Sequence, residues 1–541
     1  MIPARATSRI EALSEGIIEA GWLLALGLVP LLFNIYSSRN YEPDKAALLR
    51  SLAVVMVAAW LWKVVCGGRL SRPLPLPDGS AANSKFRPLS GAARSLFLVP
   101  LVPLVAALAL LLVVGSIMSV DSRLSWLGSY ARAQGTWTQL TYLVVFAFVL
   151  THLRSRAQWR RVVYTVIVAS ASISLYGMFQ ELGVDPVTTA ISSRRVYSTL
   201  GNSIFLGAYL VMVMFLTGLE FGTEMVEWSR RREMTSGPKW WPGRRAVFLG
   251  AVLLCQLAAL VLSQSRGPFL GLLCGAYVFI LVGLLRLRRS GEDSPWLQQR
   301  GSRIRWAVPG VVGSALLTLA ILVVVNMPGS PLEKMRDVPY IGRLGSVLDA
   351  ESRTIQVRLY IWRSVSELLR SGEPLETPDG TPDTLHGLRS ALGTGPETMG
   401  IAVNRFVEPK LGQLEEVTKI PDRSHNEIFD LLVMEGAVGT VIWLSIFFAV
   451  CGLALRRLGL IRSRSQAVGF WSALVVGSML GAVTPWLASG EATMSGVGLS
   501  VGLVLSLTLF VTVQALIDSS GKEPDTGSPG TVSDWLVLAL L

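Results

Sequence analysis

The chain has 541 residues, of which 51% are hydrophobic and only 16% are charged, and its mean hydropathy is +0.50. Soluble globular proteins carry about 25% charged residues, so the composition excludes that class. The formal net charge is +12. The basic residues nevertheless lie in short segments between apolar runs, a pattern that is typical of membrane topology and excludes nucleic acid as the expected partner.

Apolar runs of about 20 residues, the length of an α-helix that crosses a bilayer, recur along the chain. A membrane β-barrel would show short alternating segments instead. The sequence therefore predicts an all-α integral membrane protein, in which residues 1–16 are a cytoplasmic N-terminus and the first span is retained rather than cleaved. We count about 12 transmembrane helices, at residues 17–35, 46–66, 96–117, 136–151, 161–180, 201–219, 246–263, 267–285, 307–326, 429–455, 466–487 and 492–517.

Basic loops predict how these helices are oriented, because cytoplasmic loops carry the excess of Lys and Arg. With both termini inside, all of the most basic loops fall on the cytoplasmic side: 67–95, 152–160, 220–245, 286–306 and 456–465. Helices 1–9 then occupy residues 17–326 and helices 10–12 occupy residues 429–517. Residues 327–428 form one large external loop, so we expect a multi-pass protein of the cytoplasmic membrane with its site facing outward.

The external loop is too long to lack structure, so we expect it to contain short helices. Residues 353–370 predict an amphipathic helix, because apolar side chains repeat at helical spacing at Val357, Ile361, Val365 and Leu368. The alternative is a helix that lies on the lipid headgroups. Residues 518–541 predict a flexible C-terminal tail, since Gly, Pro and Ser are frequent in it and its apolar end is too short to span.

The segment SHNEIFDLLVMEGAVG, Ser424–Gly439, lies where the external loop meets a predicted span. It places His425, one of only three histidines, beside Glu427 and Asp430. An imidazole next to acidic groups at a membrane surface is suited to acid–base chemistry. The alternative is a polar helix cap followed by an acidic first turn.

Two outer turns carry arginines. Arg266 lies in the very short turn SQSRG, and Arg195 precedes the small-residue turn formed by Gly201 and Asn202. Each has an ordinary alternative: Arg266 is also suited to anchoring a helix at the interface, and the glycines to close helix packing.

Two further external arginines accompany them. Arg132 lies in SYARAQGTW, where the alternative is a simple loop charge. Arg358 shares a helix face with Trp362 and is followed by LGTGPET, in which Gly395 predicts a tight turn rather than a phosphate-binding loop.

Several arginines near a membrane surface are suited to a lipid-linked diphosphate, because a guanidinium fork binds phosphate oxygens in a bidentate manner and stays charged. The cysteines and histidines lack metal-ligand spacing, and the outer loops have no close acid pair. We therefore predict neither a metal nor another cofactor, and arginine charge would neutralise the diphosphate.

Together these segments resemble the O-antigen ligase-like family of membrane glycosyltransferases, which includes O-antigen polymerases and protein O-oligosaccharyltransferases. The resemblance covers residues 17–517. SHNEIFDLLVMEGAVG is similar to the family's His-Asn segment and Glu-Gly-x-x-Gly, SQSRG to its Ser-Arg-Gly turn, RVYSTLGNSIFLGAYL to its Arg and Gly-Asn segment, and RLYIWRS with LGTGPET to its external Arg–Trp helix and Gly-rich loop.

The resemblance implies an inverting, metal-independent transferase that moves a glycan from a polyprenyl-diphosphate carrier to a lipid, glycan or protein acceptor. It implies that His425 orients or deprotonates the acceptor hydroxyl and that Glu427 or Asp430 fixes the imidazole tautomer, with Glu435 a weaker candidate. The expected diphosphate ligands are Arg195, Arg266 and Arg358, with Arg132 grouped beside them.

Two positions depart from the family pattern. Ser203 stands where relatives often have Pro, and Pro268 stands where many have a small residue, which leaves the local backbone geometry open. The motifs do not separate ligase, polymerase and protein O-oligosaccharyltransferase. A transporter or flippase is the alternative from another class, but the predicted spans hold few charged residues, whereas transporters place such groups near the midplane. A purely structural role would leave the His425 and arginine groupings unexplained.

Overall fold

The computed structural model describes residues 4–66, 99, 101–185, 195–234, 243–290, 301–327, 329–338, 340, 342, 352–415 and 420–520. Within these ranges the protein is helical, and extended pairing is limited to one isolated bridge between Glu376 and Pro382. The predicted basic loop at 67–95 and the tail from residue 521 onward lie outside the described ranges, as do parts of the loops at 220–245 and 286–306.

The α-helices are numbered in chain order and have the following bounds: α1 Ala4–Leu31, α2 Glu42–Val65, α3 Leu101–Ile117, α4 Ser122–Leu127, α5 Thr136–His152, α6 Arg156–Glu181, α7 Ser203–Met234, α8 Arg244–Ser263, α9 Arg266–Ser290, α10 Gly301–Asn326, α11 Arg353–Ser371, α12 His386–Leu392, α13 Met399–Val403, α14 Leu411–Leu414, α15 Glu427–Met434, α16 Gly436–Arg457, α17 Arg464–Ser489 and α18 Ser495–Ser520.

Ten of the described helices are long and apolar enough to cross a membrane, which confirms an all-α, multi-pass membrane protein. They are α1, α2, α6, α7, α8, α9, α10, α16, α17 and α18. The other two predicted spans, at 96–117 and 136–151, correspond to α3 and α5, each of 17 residues. The number of spans and their orientation stay predictions.

The structure differs from the predicted span at 429–455, because the chain there forms two helices. α15 ends at Met434 and α16 begins at Gly436, whose φ of +68° interrupts the helix. A left-handed φ of this kind is readily adopted only by glycine. The span is therefore α16 alone, and α15 with its acidic residues precedes it.

The chain divides into two compact units. The first consists of Met1–Thr165, Arg353–Val450 and Pro485–Val497, and the second of Val166–Ser352, Cys451–Thr484 and Gly498–Leu541. Neither unit is one continuous stretch, so each depends on residues that are distant in sequence.

Residues 353–434 of the first unit contribute to a hydrophobic core that is built around α11. The helix occupies Arg353–Ser371, as the apolar spacing predicts. Its Ile361 and Val365 are 4% and 0% exposed, and Val357 and Leu368 pack against the same core. Burying each such aliphatic side chain contributes about 1.5–3 kcal/mol. The apolar face of α11 is thus covered by protein rather than laid on lipid.

The second unit packs its helices through small residues and one buried polar group. A side chain at Gly207 of α7 would meet Pro268 of α9 at 2.8 Å, so glycine allows these helices to approach closely. Gln256 of α8 is fully buried and donates hydrogen bonds to Ser170 (2.8 Å) and Thr217 (3.0 Å). Its amide oxygen has no partner among the described residues.

Candidate functional site

The turn that precedes α15 is built by the side chains of its own residues. The Ser424 hydroxyl accepts the Asn426 N–H at 3.1 Å and donates to the Asn426 carbonyl at 2.8 Å. Asn426 Oδ1 accepts the N–H of Ile428 at 3.1 Å and so caps α15. The helix-cap alternative therefore describes Asn426 correctly, and it leaves the side chain of the intervening His425 without a structural role.

Asp430 supports this turn from inside. It is 5% exposed, and its Oδ1 accepts the backbone N–H of Ser424 at 2.7 Å. Burial raises the pKa of Asp430, although the Ser424 hydrogen bonds act in the opposite direction. Within the described part of the chain, Asp430 makes no hydrogen bond to His425. Its hydrogen bond is to the backbone of Ser424, the residue before the histidine.

α11 approaches the same turn from the other side. The Trp362 indole is buried and donates from Nε1 to the Ser424 carbonyl at 2.8 Å. Arg358 lies one helical turn before Trp362 on the same face. None of the described residues forms a hydrogen bond or ion pair with Arg358, and burial lowers the pKa of its guanidinium. A partly buried guanidinium of this kind is suited to an anionic ligand.

The His425 side chain is exposed, and its ring nitrogens form no hydrogen bond with the described residues. Its backbone has a φ of +57°, which is unusual for a residue with a side chain. Desolvation lowers the pKa of His425, and the positive charge of nearby Arg358 lowers it further. The imidazole is therefore neutral at pH 7, which is the form that can accept a proton.

Two more acids flank α15. Glu427 opens the helix and its side chain is exposed, while partial desolvation and the nearby Asp430 raise its pKa. Glu435 lies at the break between α15 and α16, is 6% exposed, and accepts the Trp443 Nε1–H at 2.9 Å. Glu427 is thus an exposed acid two residues after His425, whereas Glu435 is enclosed by protein.

Arg132 has a different environment from the one the sequence suggests. Its guanidinium donates to both oxygens of Asp422, at 2.5 Å from Nε and 3.0 Å from Nη2. The adjacent Arg423 pairs with Glu397. The sequence patterns do not predict the pairing of Asp422, Arg423 or Glu397, although Asp422 and Arg423 directly precede the Ser-His-Asn segment.

Gly395 allows the Gly-rich loop to pack closely against the loop that follows α3. It has a φ of +111°, and a side chain there would overlap the Ser119 hydroxyl. Next to it, the Thr394 carbonyl accepts hydrogen bonds from Ser119 Oγ and the Val120 N–H, both at 3.0 Å. The Gly395 N–H donates to the Met434 carbonyl at 2.9 Å. The loop therefore joins α15 to the end of α3.

The remaining predicted residues belong to the second unit. Arg195 donates to the Ser263 carbonyl at 3.1 Å and to Ser265 Oγ at 2.8 Å, while Arg266 begins α9. The Ser265 hydroxyl in turn donates to the carbonyl of Ser203 at 2.8 Å. The two segments that carry Arg195 and Arg266 are thus joined directly.

The turn before α7 shows why its residues suit the position. Gly201 adopts a left-handed φ of +72°, and Asn202 Oδ1 accepts the Ile204 N–H at 2.8 Å. Both departures from the family pattern are accommodated: Ser203 begins α7, and Pro268 lies in the first turn of α9, where a missing N–H costs little.

Residues 251–375 match the family model described as O-antigen ligase. This segment is similar to O-antigen ligases. The matched segment includes Arg266, Arg358 and Trp362, and the resemblance seen in the sequence is confirmed. No curated protein matches the chain.

The match indicates glycosyltransferase activity of the ligase or polymerase type, with a lipid-linked glycan and an acceptor as partners in general. The match ends before residue 422, so the contacts around His425 lie outside it. Across the described ranges, no group of three or more His, Cys, Asp or Glu side chains is arranged to hold a metal ion.

Proposed function

We propose that the protein transfers a glycan from a polyprenyl-diphosphate carrier to an acceptor hydroxyl, at the outer face of the cytoplasmic membrane. One observation carries this proposal. The exposed and unbonded imidazole of His425 lies within electrostatic range of Arg358, which has no partner among the described residues. A proton acceptor beside an unneutralised cation is what displacement of a diphosphate by a hydroxyl requires.

The reaction is a single displacement at the anomeric carbon of the donor. The acceptor oxygen bonds to that carbon as the bond to the diphosphate oxygen breaks, which inverts the configuration. His425 takes the hydroxyl proton, and the bonding electron pair leaves with the polyprenyl diphosphate. General-base assistance of this kind contributes about 10²–10⁴-fold.

Arg358 stabilises the negative charge that develops on the leaving diphosphate. A fixed cation at the developing anion is often the largest single contribution to catalysis. In this proposal the arginine supplies that positive charge, and no metal ion takes part. The roles of Arg195 and Arg266 at the diphosphate rest on the family resemblance. Glu427 is exposed two residues after His425, and we assign its carboxylate to stabilising the imidazolium charge.

The test is transfer of glycan in a strain that lacks its own ligase-like enzyme, with variants at matched expression. His425→Gln is compared with His386→Gln, which alters another exposed histidine of the external loop. Arg358→Gln is compared with Arg363→Gln on the same helix, where the arginine forms only exposed ion pairs with Glu408 and Glu491.

We expect the wild type and both control variants to transfer glycan, and His425→Gln and Arg358→Gln to fall by at least about 100-fold. Glycan found on lipid, on protein or in chain-length ladders identifies the acceptor. Full activity in His425→Gln would refute the site. Accumulated or translocated lipid-linked glycan without any transfer would favour the transporter alternative.

A further inference from the structure

Asp422 and Arg423, which precede Ser424 and His425, form ion pairs with two different loops. Asp422 is the anion of one pair and Arg423 is the cation of the other. Asp422 accepts both hydrogen bonds from Arg132, and Arg423 donates to Glu397. Bidentate arginine–carboxylate pairs fix orientation as well as distance. The Arg132–Asp422 pair is bidentate, whereas Arg423 donates to one oxygen of Glu397. Ion pairs on two successive residues leave the chain little freedom to rotate before it reaches the imidazole.

The two ion pairs are joined into one network by Glu397. Its side chain is 2% exposed, and its second oxygen accepts the Ser129 N–H at 3.3 Å and the Ser129 hydroxyl at 3.0 Å. Ser129 lies three residues before Arg132 in the same loop. The loop that carries Ser129 and Arg132 is therefore bonded to both neighbouring residues. Arg132 bonds Asp422 directly, and Ser129 reaches Arg423 through Glu397.

The Arg132 loop is itself anchored to the transmembrane part of the first unit. Arg50 of α2 donates to the carbonyls of Leu127 and Ala133, at 2.9 and 3.0 Å, and to Thr138 Oγ1 at 2.8 Å. These bonds hold both ends of the loop. The backbone of the Arg132 loop is thus also bonded to α2, independently of the ion pair between Arg132 and Asp422.

His425 is where this restraint has its effect. Its φ of +57° is a conformation that a residue with a side chain keeps only when its surroundings impose it. On its N-terminal side, Ser424 is bonded at its N–H by Asp430 and at its carbonyl by Trp362. The backbone is therefore held at every step from 422 to 424, while the imidazole itself stays open to a substrate.

We infer that Arg132, Asp422, Arg423 and Glu397 form a clamp that positions His425, and that Arg132 serves the clamp and does not bind the donor diphosphate. The inference rests on the proposed function of His425 and adds four positioning residues to it. It also reassigns Arg132, which the sequence groups with the diphosphate ligands. The competing assignment is that the diphosphate displaces Asp422 from Arg132.

The first test needs no donor and uses the full-length protein in detergent. Hydrogen exchange of the backbone around residues 420–427 is compared between wild type, Asp422→Asn, Arg132→Gln and the charge swap Arg132→Asp with Asp422→Arg. The swap is informative because it exchanges the two charges of a partly exposed pair, whose side chains are 29% and 59% accessible. Arg405→Gln, which breaks an exposed ion pair with Glu373, is the matched control.

The clamp predicts that each single substitution accelerates exchange by about tenfold or more, as expected for loss of a charged hydrogen bond. It predicts that the swap restores slow exchange and that Arg405→Gln has no effect. The swap must also restore glycan transfer that the single substitutions reduce. Exchange in the single variants equal to that of Arg405→Gln would overturn the clamp, whether or not the protein transfers glycan.

The second test asks whether Asp422 competes with an anion for Arg132. Diethyl pyrocarbonate modifies neutral imidazoles, and exposed His386 and buried His152 provide internal references for His425. The clamp predicts that inorganic pyrophosphate protects His425 to the same extent in wild type and in Asp422→Asn. Protection at about tenfold lower pyrophosphate in Asp422→Asn would show that Arg132 is an anion site, which overturns the reassignment.

Discussion

The hydrogen bond from Trp362 to Ser424 gives the sharpest prediction about how the site is held. Trp362→Phe keeps an aromatic ring in the core and removes the indole N–H, which donates at 2.8 Å to a carbonyl whose residue is 0% exposed. An acceptor left buried without a donor costs about 1–3 kcal/mol. The free energy of opening the segment around Ser424 should fall by that amount.

The measurement is hydrogen exchange of the peptide that contains residues 422–430. A loss of about 1–3 kcal/mol corresponds to roughly 5- to 150-fold faster exchange, since about 1.4 kcal/mol is a factor of ten. Trp306→Phe is the matched control, because Trp306 is 78% exposed. Glycan transfer should fall together with protection, because the backbone beside His425 is loosened.

Two results would refute this reasoning. If exchange in Trp362→Phe stays within about twofold of wild type, as in the control, the indole does not restrain Ser424. If exchange accelerates by the expected amount while transfer is unchanged, the turn is restrained by Trp362 but its rigidity does not matter for catalysis.

Further outcomes follow from contacts elsewhere in the described structure. Arg389 donates two hydrogen bonds to buried Asp383, at 2.7 and 2.9 Å, and these hold the pKa of Asp383 below its usual range. The stabilisation that the pair gives the folded protein is therefore present above about pH 4 and is lost as the pH falls through the lowered pKa. The difference in thermal midpoint between wild type and Asp383→Asn should therefore shrink on acidification, and a constant difference would contradict the pairing. Gly395→Ala should lower the midpoint more than Gly372→Ala, because both have a positive φ but a side chain at Gly372 meets no atom within 4 Å. Gln256→Leu should change stability by less than about 1 kcal/mol, because it removes an unpartnered buried oxygen and the hydroxyls bonded to Gln256 keep their backbone acceptors. The rate of transfer, plotted against pH, should fall only below the ordinary imidazole pKa of about 6.5, since the pKa of His425 is lowered.

The features that the sequence predicts well are those that leave a local pattern. Apolar length locates the membrane helices, and apolar spacing of 3.6 residues locates α11 with Arg358 and Trp362 on one face. The break at Gly436 is harder to foresee. Apolar residues lie on both sides of it, and only the close contact with Ala391 and Gly393 shows why no side chain fits there.

The clamp shows what sequence patterns do not contain. Arg132 and Asp422 are 290 residues apart, so no periodicity or spacing relates them. Arg132 in isolation has the properties of a phosphate ligand, and only the folded chain reveals that a carboxylate already occupies its guanidinium. The same holds for Glu397, whose position after two glycines suggests a turn rather than an ion pair.

The contact between Ser119 and Thr394 has a consequence for how the protein is made. The two residues are 275 positions apart. A ribosome that adds about 5–20 residues per second needs roughly 14–55 s to synthesise that interval. For this time α3 and the loop after it exist without the partner that completes them. The candidate site is therefore completed only after most of the preceding polypeptide has been synthesised, and a nascent chain arrested before residue 394 cannot yet contain it.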